Sequence, residues 1–281
     1  MNQFYVKFVS PFCSNFLQGK KILTNKNSLY NIYLRQNSGM TATAIILLIV
    51  FCTGASFVQR VSGFGFGIFI MTVLPHLMPS YGEATALSGM LSAAQSLYVL
   101  VSIYRLIEWR RVIPILLAFL VTSFFAVEYV AMATDTHLKH LLGAILLIMS
   151  VYFLVISDRI RLRPTMAMQL SMGTLSGVMG GLFAMQGPPA VLYFVASEPD
   201  KQRYLAHTQV YFFIGNVFMT IYRARCGFCT PTVGWCWLYA FVGIVVGSWL
   251  GRLVFDKMPS AALRKIVYAY MAVGGILALM A

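Results

Sequence analysis

The sequence predicts an all-α polytopic membrane protein made of two related repeats, each opening with a helix or hairpin that glycine and proline break. Three observations predict this fold class. First, the 281 residues are 59% hydrophobic and 10% charged, with a mean hydropathy of +0.77, whereas a soluble domain usually carries about 25% charged residues. Second, apolar runs of roughly 20 residues, long enough to cross a bilayer, recur along the chain. Third, glycine and proline interrupt two of these runs, and such breaks are costly in a helix.

Residues 1–39 form a polar, basic N-terminal tail that differs from everything after it. The tail contains no acidic residue and no apolar core of signal-peptide length. Met40 directly precedes the first apolar run. The sequence therefore leaves two alternatives open, a native basic arm or an over-extended reading frame. Its five cations are Lys7, Lys20, Lys21, Lys26 and Arg35.

The first repeat is expected over residues 40–157. Its opening apolar segment runs from 41 to 57, meets Gln59 and Arg60, passes three alternating glycines and continues to Met78. As one helix it would be about 57 Å long, more than the roughly 40–45 Å of a bilayer with its headgroups. It is therefore a broken helix or a hairpin. Further spans are predicted at about 84–104, 111–133 and 139–156.

The second repeat is expected over residues 168–281, after a polar linker at 158–167. It repeats the same order, with a broken segment at 168–197 and spans at about 205–222, 235–254 and 263–280. Shifting the chain by 121 residues places Gly67 on Pro188 and Gln95 on Asn216. The chain thus has about eight spans, or up to ten elements if both broken segments are hairpins. In folds with such repeats, the substrate site forms where the discontinuous helices meet.

The distribution of Lys and Arg in the loops tests the topology. Without the tail, eight crossings put eight cations on one side and seven on the other. Two hairpins, which make the repeats inverted, give thirteen against three without the tail and thirteen against eight with it. Because Lys and Arg concentrate on the cytoplasmic side of short loops, the count favours inverted repeats if the tail is not native.

Two motifs resemble the glycine-rich motifs of the sulfite exporter TauE/SafE family. They are Ser62-Gly-Phe-Gly-Phe-Gly67 leading to Pro75, and Gly181-Leu-Phe-Ala-Met-Gln-Gly-Pro-Pro189. The resemblance covers about residues 41–281. It implies a multi-pass transporter of the cell membrane that exports small sulfur-containing anions, such as sulfite or organosulfonates, with an ion or proton gradient. Two departures put the substrate in question: Ala184 and Gln186 stand where glycines are common, and residues 223–235 replace a short loop.

The candidate substrate site consists of residues at and near the two breaks. A broken helix offers free backbone N–H groups and the positive end of its dipole, and glycine lets an anion approach the backbone. Other roles stay open, namely helix packing for the glycines, a cap of a turn for Arg60 and interhelical bonding for the amides. The candidates are Arg60, Gly63, Gly65, Gly67, Gln95, Gln186, Gly187, Pro188, Tyr193 and Asn216.

Glu128 is a candidate for proton coupling because it is a carboxylate in the third span. Burial in an apolar environment favours the protonated form of a carboxylate. The alternative is a structural ion pair, for which Arg252 in the second repeat is a partner. The four histidines lie near predicted span ends and are expected at the surface.

Other functional classes find little support in the sequence. The net charge of +13 is attributed to cytoplasmic loops rather than to nucleic-acid binding. No catalytic or metal-ligating group emerges in the spans, so we expect neither an enzyme nor a cofactor. Cys226 and Cys229 form a C-x-x-C pair, which leaves a membrane thiol-redox protein as one rival and a passive anion channel as another. Partners are then the anion and the lipid bilayer, and homo-oligomerisation stays open.

Overall fold

The computed structural model describes residues 41–151, 165–255 and Ile276. The predicted tail, most of the linker and the final span lie outside these residues. Within them every regular element is helical, and a short 3₁₀ turn at Tyr104–Leu106 is the only variation among them. The helices are α1 (Ala42–Ser62), α2 (Phe66–Met71), α3 (Leu74–Leu77), α4 (Tyr81–Leu100), α5 (Trp109–Met132), α6 (Asp135–Val151), α7 (Met166–Phe183), α8 (Gly187–Ser197), α9 (Lys201–Arg225) and α10 (Pro231–Phe255).

Three of the described helices are long and apolar enough to cross a membrane, namely α1, α5 and most of α10. Large apolar side chains remain exposed on them, including Phe125, which is 66% exposed, and Trp249, which is 56% exposed. A bilayer would cover such surfaces, because in water they would form an unusually large apolar patch. The predicted all-helical class is thus confirmed, and the chain is a membrane protein.

Helices α4 and α9 pack together at the centre in opposite directions. The start of α4 meets the end of α9, where the Arg223 Nη1 donates to the carbonyl of Thr85 at 3.2 Å. Further along, Asn216 and Thr220 approach Gly89 of α4. Both helices bury polar side chains against each other rather than against lipid. Their polar character therefore belongs to the interior of the bundle.

Helix α5 runs parallel to α9, and α10 runs parallel to α4. Phe119 and Phe124 of α5 stack on Tyr211 and Tyr222 of α9, with ring centroids 5.3 and 4.6 Å apart. Just before α10, Phe228 packs on Gly82 of α4. Further along α10, Ser248 donates to Gln95 of α4 at 2.7 Å. The bundle therefore contains two antiparallel sets of helices, α4 with α10 and α9 with α5.

Both broken segments fold back as hairpins. In the first hairpin (α1 and α2), the ring of Phe69 lies 6.3 Å from that of Phe51 and touches Gly54. In the second hairpin (α7 and α8), Arg111 of α5 joins the two open ends. Its carbonyl accepts from Gln169 near the start of α7, and its guanidinium donates to the carbonyl of Ser197 at the end of α8. Both breaks are therefore hairpin turns, but the return arms α2 and α8 have only 6 and 11 residues, too few to cross a bilayer as the hairpin alternative required.

Each hairpin packs through small residues on a helix that lies elsewhere in the chain. On α7, a row of three glycines faces α5, and on α10 another row faces α1. A Cβ added to any of them would lie within 3 Å of the neighbouring helix, so the backbones are in close contact. Both pairs are parallel, and since α5 and α10 run in opposite directions, so do the two hairpins. The rows are Gly173, Gly177, Gly181 and Gly243, Gly247, Gly251.

Candidate functional site

The tips of the two hairpins touch each other in the interior. A Cβ on Gly67 would overlap the carbonyl oxygen of Ala184, and it would lie 3.6 Å from the Cα of Met185. The contact is thus between one backbone and another, and it needs glycine at position 67. The two breaks predicted from the sequence form one locus in space.

A small cavity of about 20 Å³ lies at this contact. Gln59 and residues 65–68 of the first hairpin, residues 184–187 of the second, Ser92 of α4, and Phe212 and Asn216 of α9 line it. Its volume is close to that of a single enclosed water. The cavity therefore joins five of the ten predicted site residues, namely Gly65, Gly67, Gln186, Gly187 and Asn216.

Left-handed backbone conformations form both turns. Gly63 and Gly65 have φ of 85° and 103°, which glycine adopts without steric cost. Ala184, at the corresponding end of α7, has φ 55° and ψ 29°. For a residue with a Cβ this conformation costs roughly 1–2 kcal/mol. The second turn is therefore strained at the position where glycine is common in the motif it resembles.

Helix α8 begins at the cavity with an unusual shortage of donors. Gly187 lines the cavity, and Pro188 and Pro189 follow it in the first turn. Proline has no N–H, so two of the usual free donors at a helix N-terminus are missing. The helix still directs the positive end of its dipole at the cavity. Pro188 itself is buried but does not line the cavity.

A pair of glutamines, Gln59 and Gln209, holds the first hairpin in place. The Gln59 Nε2 donates to the Oε1 of Gln209 at 3.0 Å and to the Oγ of Ser96 at 3.1 Å. Gln209 in turn donates to the carbonyl of Gly63 at the hairpin tip, at 2.8 Å. Sequence reasoning missed both residues. The available signal was two uncharged amides inside apolar segments, one of them next to Arg60.

Gln186 combines a satisfied and an unsatisfied amide atom. Its Nε2 donates to the carbonyl of Phe212 at 3.2 Å, whereas its Oε1 is buried and has no hydrogen-bond partner. Its backbone carbonyl accepts from the hydroxyl of Ser176, which itself accepts from Tyr211 at 2.7 Å. This unsatisfied buried oxygen, which lies beside Gly215, costs roughly 1–3 kcal/mol.

The other predicted site residues lie away from the cavity. Arg60 is half-buried, with its Cβ and Cγ against Gly251 of α10. Gln95 accepts from Ser248, so the interhelical alternative fits it. Tyr193 is buried in α8 beside Phe194, and Gly63 and Pro188 complete the five that do not line the cavity.

Glu128 lies on α5 and accepts a hydrogen bond from the hydroxyl of Tyr222. Arg252 is exposed near the end of α10. No ion pair joins these two residues within the described part of the chain. The partner of Glu128 is thus a phenol from the neighbouring helix.

Arg223 is a buried cation that the sequence interpretation counted as a loop residue. It is 0% exposed, and its Nη2 donates to the carbonyls of Gly180 and Gly181 at 3.0 and 2.9 Å. Tyr81 donates to the next carbonyl, that of Leu182, at 3.1 Å. The last turn of a helix leaves its carbonyls without intrahelical partners. Arg223 and Tyr81 therefore allow α7 to end inside the bundle.

A charged network closes one end of the bundle, which we call the basic end. Arg111 pairs with Glu198 at 3.3 Å, and Arg203 pairs with Glu108 at 2.8 Å. The imidazole of His207 accepts from the backbone N–H of Glu108 at 3.0 Å. His207 is 0% exposed, so the expectation of a surface histidine is wrong there. The cause is that the loop before α5 folds over it.

The cysteines carry no sign of a redox or metal centre in the described ranges. Near the opposite end of the bundle, Cys226 is half-buried and Cys229 is exposed. Partial burial raises the pKa of the Cys229 thiol, and the nearby Arg223 opposes this shift. A raised pKa reduces the thiolate form that reacts in redox chemistry. No cluster of three potential metal ligands occurs among the described residues.

Broken helical hairpins that meet from opposite ends around an interior cavity define a class of membrane transport proteins. Within that class, the chain belongs to the family described as "Sulfite exporter TauE/SafE", which residues 46–278 match. A similar protein is the "Probable sulfite/organosulfonate exporter TauE" of Cupriavidus necator. It is 23% identical over 220 residues, which cover 77% of this chain and 86% of that protein. No solved structure matches the chain significantly. The resemblance seen in the two motifs is thereby confirmed.

Proposed function

We propose that the protein is a secondary transporter that exports small sulfur-containing anions, such as sulfite or an organosulfonate, by alternating access. The observation that carries this proposal is the contact between the two hairpin tips at a buried, partly polar cavity. The family and the relative from C. necator support the same substrate class.

The chemistry of the cavity suits a weakly held anion. Glycine backbone at residues 65 and 67 allows close approach, and α8 directs its positive dipole end at the same space. The amide of Asn216, which also lines the cavity, adds a side-chain donor. Such neutral donors replace part of the hydration of the anion without binding it as tightly as a direct ion pair. A transporter needs this balance, because the substrate must also leave.

The size of the cavity supports alternating access. A space of about 20 Å³ holds roughly one water, and sulfite has four heavy atoms. The anion therefore enters only when the hairpin tips move apart. We propose that the two halves form inverted repeats, since the hairpins run in opposite directions and each packs on a helix of the other half. Opening one hairpin at a time would expose the cavity to one side of the membrane.

The basic end is the cytoplasmic end in this proposal. The loops and helix starts there carry Arg105, Arg110, Arg111, Lys201 and Arg203, and cations concentrate on the cytoplasmic side. The second hairpin, whose arms open at the basic end, then forms the cytoplasmic half of the path. The first hairpin forms the outer half. The protein is accordingly proposed to be a multi-pass protein of the cytoplasmic membrane.

Glu128 is proposed to couple proton movement to transport. It lies on α5, which packs on the second hairpin through Gly181 and Ala126, and its bond to Tyr222 links α5 to α9. Protonation of the carboxylate would weaken this charge-assisted bond. In Glu128→Gln, we expect export that no longer responds to an imposed pH gradient. The control variant is Tyr222→Phe, which removes the hydrogen bond to Glu128 but keeps the carboxylate that can be protonated.

The test is efflux from proteoliposomes that hold purified protein and are loaded with sulfite, thiosulfate, methanesulfonate or acetate. We expect faster efflux of sulfite or sulfonate than of acetate, and accumulation against a concentration gradient when an ion gradient is imposed. Downhill flux alone would instead support a passive channel. The variant Cys226→Ser/Cys229→Ser should transport normally, and complete loss of flux in it would favour the thiol-redox alternative.

A further inference from the structure

We infer that Arg223 is the counter-charge to the transported anion, the fixed cation that makes the cavity select a negatively charged solute. This inference rests on the proposed function and adds a specificity-determining residue to it. The sequence had suggested Arg60 for this role, but the cavity lining does not include it.

Arg223 is fully buried within the bundle, and among the described residues no carboxylate pairs with it. It is 0% exposed, and none of the ion pairs in the described residues involves it. Glu128, on the neighbouring helix, is bonded to Tyr222. The partners of Arg223 are three backbone carbonyls, from Thr85, Gly180 and Gly181. These dipoles and the negative end of α7 supply only partial compensation, roughly half a charge for a helix end.

One N–H donor of the guanidinium has no hydrogen-bond partner. This donor is the buried Nε, whereas the two Nη atoms are occupied. Buried polar groups in proteins are nearly always satisfied, so each exception calls for an explanation. Charged residues inside a membrane bundle commonly mark the path of an ion.

A seam between α4 and α9 connects Arg223 with the cavity. The empty Cβ position of Gly89 lies 3.2 Å from Nη1 of Arg223 and 4.0 Å from Oδ1 of Asn216, which lines the cavity. The Oγ1 of Thr220 lies 3.3 Å from the same position and has no hydrogen-bond partner. The Oγ of Ser88, one residue before Gly89 and fully buried, is also unpartnered. The seam is thus polar, incompletely bonded and closely packed around a glycine.

The position of Arg223 fits an exit path. It lies near the start of α4 and the end of α9, away from the basic end. An anion released from the cavity toward that end would pass the seam. Arg223 would therefore attract the anion while it is in the cavity and would then attract it along the exit path. Channels use adjacent weak binding sites in the same way. Two charges roughly 8 Å apart at an effective dielectric constant of about 20 change a binding constant by about tenfold or more.

The sharpest test compares Gly89→Asp with Gly89→Asn. Both side chains start at the same position beside Nη1 of Arg223 and have nearly the same shape, but only Asp neutralises the guanidinium. We expect Gly89→Asp to bind and export methanesulfonate with an apparent affinity about tenfold below that of Gly89→Asn. The loss should be larger for divalent sulfite than for monovalent methanesulfonate. Equal affinities in the two variants, measured on folded protein of equal thermal stability, would overturn the inference.

A second pair of variants, at Arg223 itself, tests the inference if the Gly89 variants do not fold. Arg223→Lys retains the charge and Arg223→Gln removes it, while both lose the bidentate contact with Gly180 and Gly181. A counter-charge predicts that Arg223→Lys keeps the preference for divalent over monovalent anions and that Arg223→Gln loses it. A merely structural Arg223 would make both variants equally defective for every anion. If wild-type protein exports no sulfur anion at all, the proposed function itself fails. If wild-type protein is active and charge makes no difference, only the role of Arg223 fails.

Discussion

Gly67 of the first hairpin and Ala184 of the second meet so closely that a Cβ on Gly67 would overlap the Ala184 carbonyl oxygen. This contact joins two turns that are far apart in sequence and come from opposite ends of the bundle. Every movement that opens the cavity must change it. The contact is therefore the most direct place to disturb the proposed cycle.

We predict that Gly67→Ala lowers the rate of sulfite or sulfonate efflux by about tenfold or more, because overpacking of this kind costs roughly 1–3 kcal/mol in the closed state. Gly187→Ala is the matched control. It also lines the cavity, but its Cβ would lie 3.6 Å from Phe64 and Phe212, an ordinary contact. Equal rates for the two variants would show that the contact of the tips does not matter for transport.

Gln59 is predicted to matter more for substrate affinity than its neighbour Arg60. Gln59→Leu leaves Gln209 and Ser96 without their donor, and such a loss costs about 1–3 kcal/mol in a buried site. Arg60→Ala changes a residue outside the cavity lining. The apparent Kd for sulfite in each purified variant tests this order. A weaker Kd for Arg60→Ala than for Gln59→Leu would restore Arg60 as a site residue.

The seam of α10 with α1 is predicted to require glycine. A Cβ on Gly247 would overlap the carbonyl oxygen of Thr53, so Gly247→Ala should destabilise the protein by about 1–3 kcal/mol. On the same helix, nothing lies within 4 Å of a Cβ on Gly234. Gly234→Ala should be neutral or stabilising by up to about 1 kcal/mol. Thermal unfolding of the two variants in detergent, with wild-type protein alongside, measures the difference.

Labelling of two exposed positions, one at each end of the bundle, tests which end faces the cytoplasm. Cys229 is exposed near the end opposite the basic end, while Lys201 is exposed at the start of α9, at the basic end. Cys52 and Cys236 are buried. In a Cys13→Ser/Cys226→Ser background, we expect an impermeant maleimide added to intact cells to label Cys229. With Cys229→Ser and Lys201→Cys also introduced, labelling should need permeabilised cells. The reverse pattern would invert the proposed topology.

Much of the fold could be predicted because glycine and proline at the two breaks, and the apolar runs between them, act locally. The helices α4, α5, α9 and α10 begin and end within a few residues of the predicted spans. Whether a break is a kink or a hairpin could not be predicted, since it depends on contacts such as Phe69 with Gly54.

The site was only partly predictable for the same reason. Gly67 and Gln186 could be recognised from their motifs, but the importance of Gln59 comes from Gln209, which is distant in sequence. Arg223 was harder still. Its position at the end of a span is typical of a loop cation, and only the carbonyls of α7 explain its burial.

The glycine rows on α7 and α10 have a consequence for biosynthesis. Helix α1 packs on α10, which the ribosome makes after the helices α1–α9. Until then, the groove of α1 around Thr53 must be covered by lipid or by an insertion factor. Neither half of the chain is thus a complete folding unit, and the packing of α1 becomes complete only once α10 has been made.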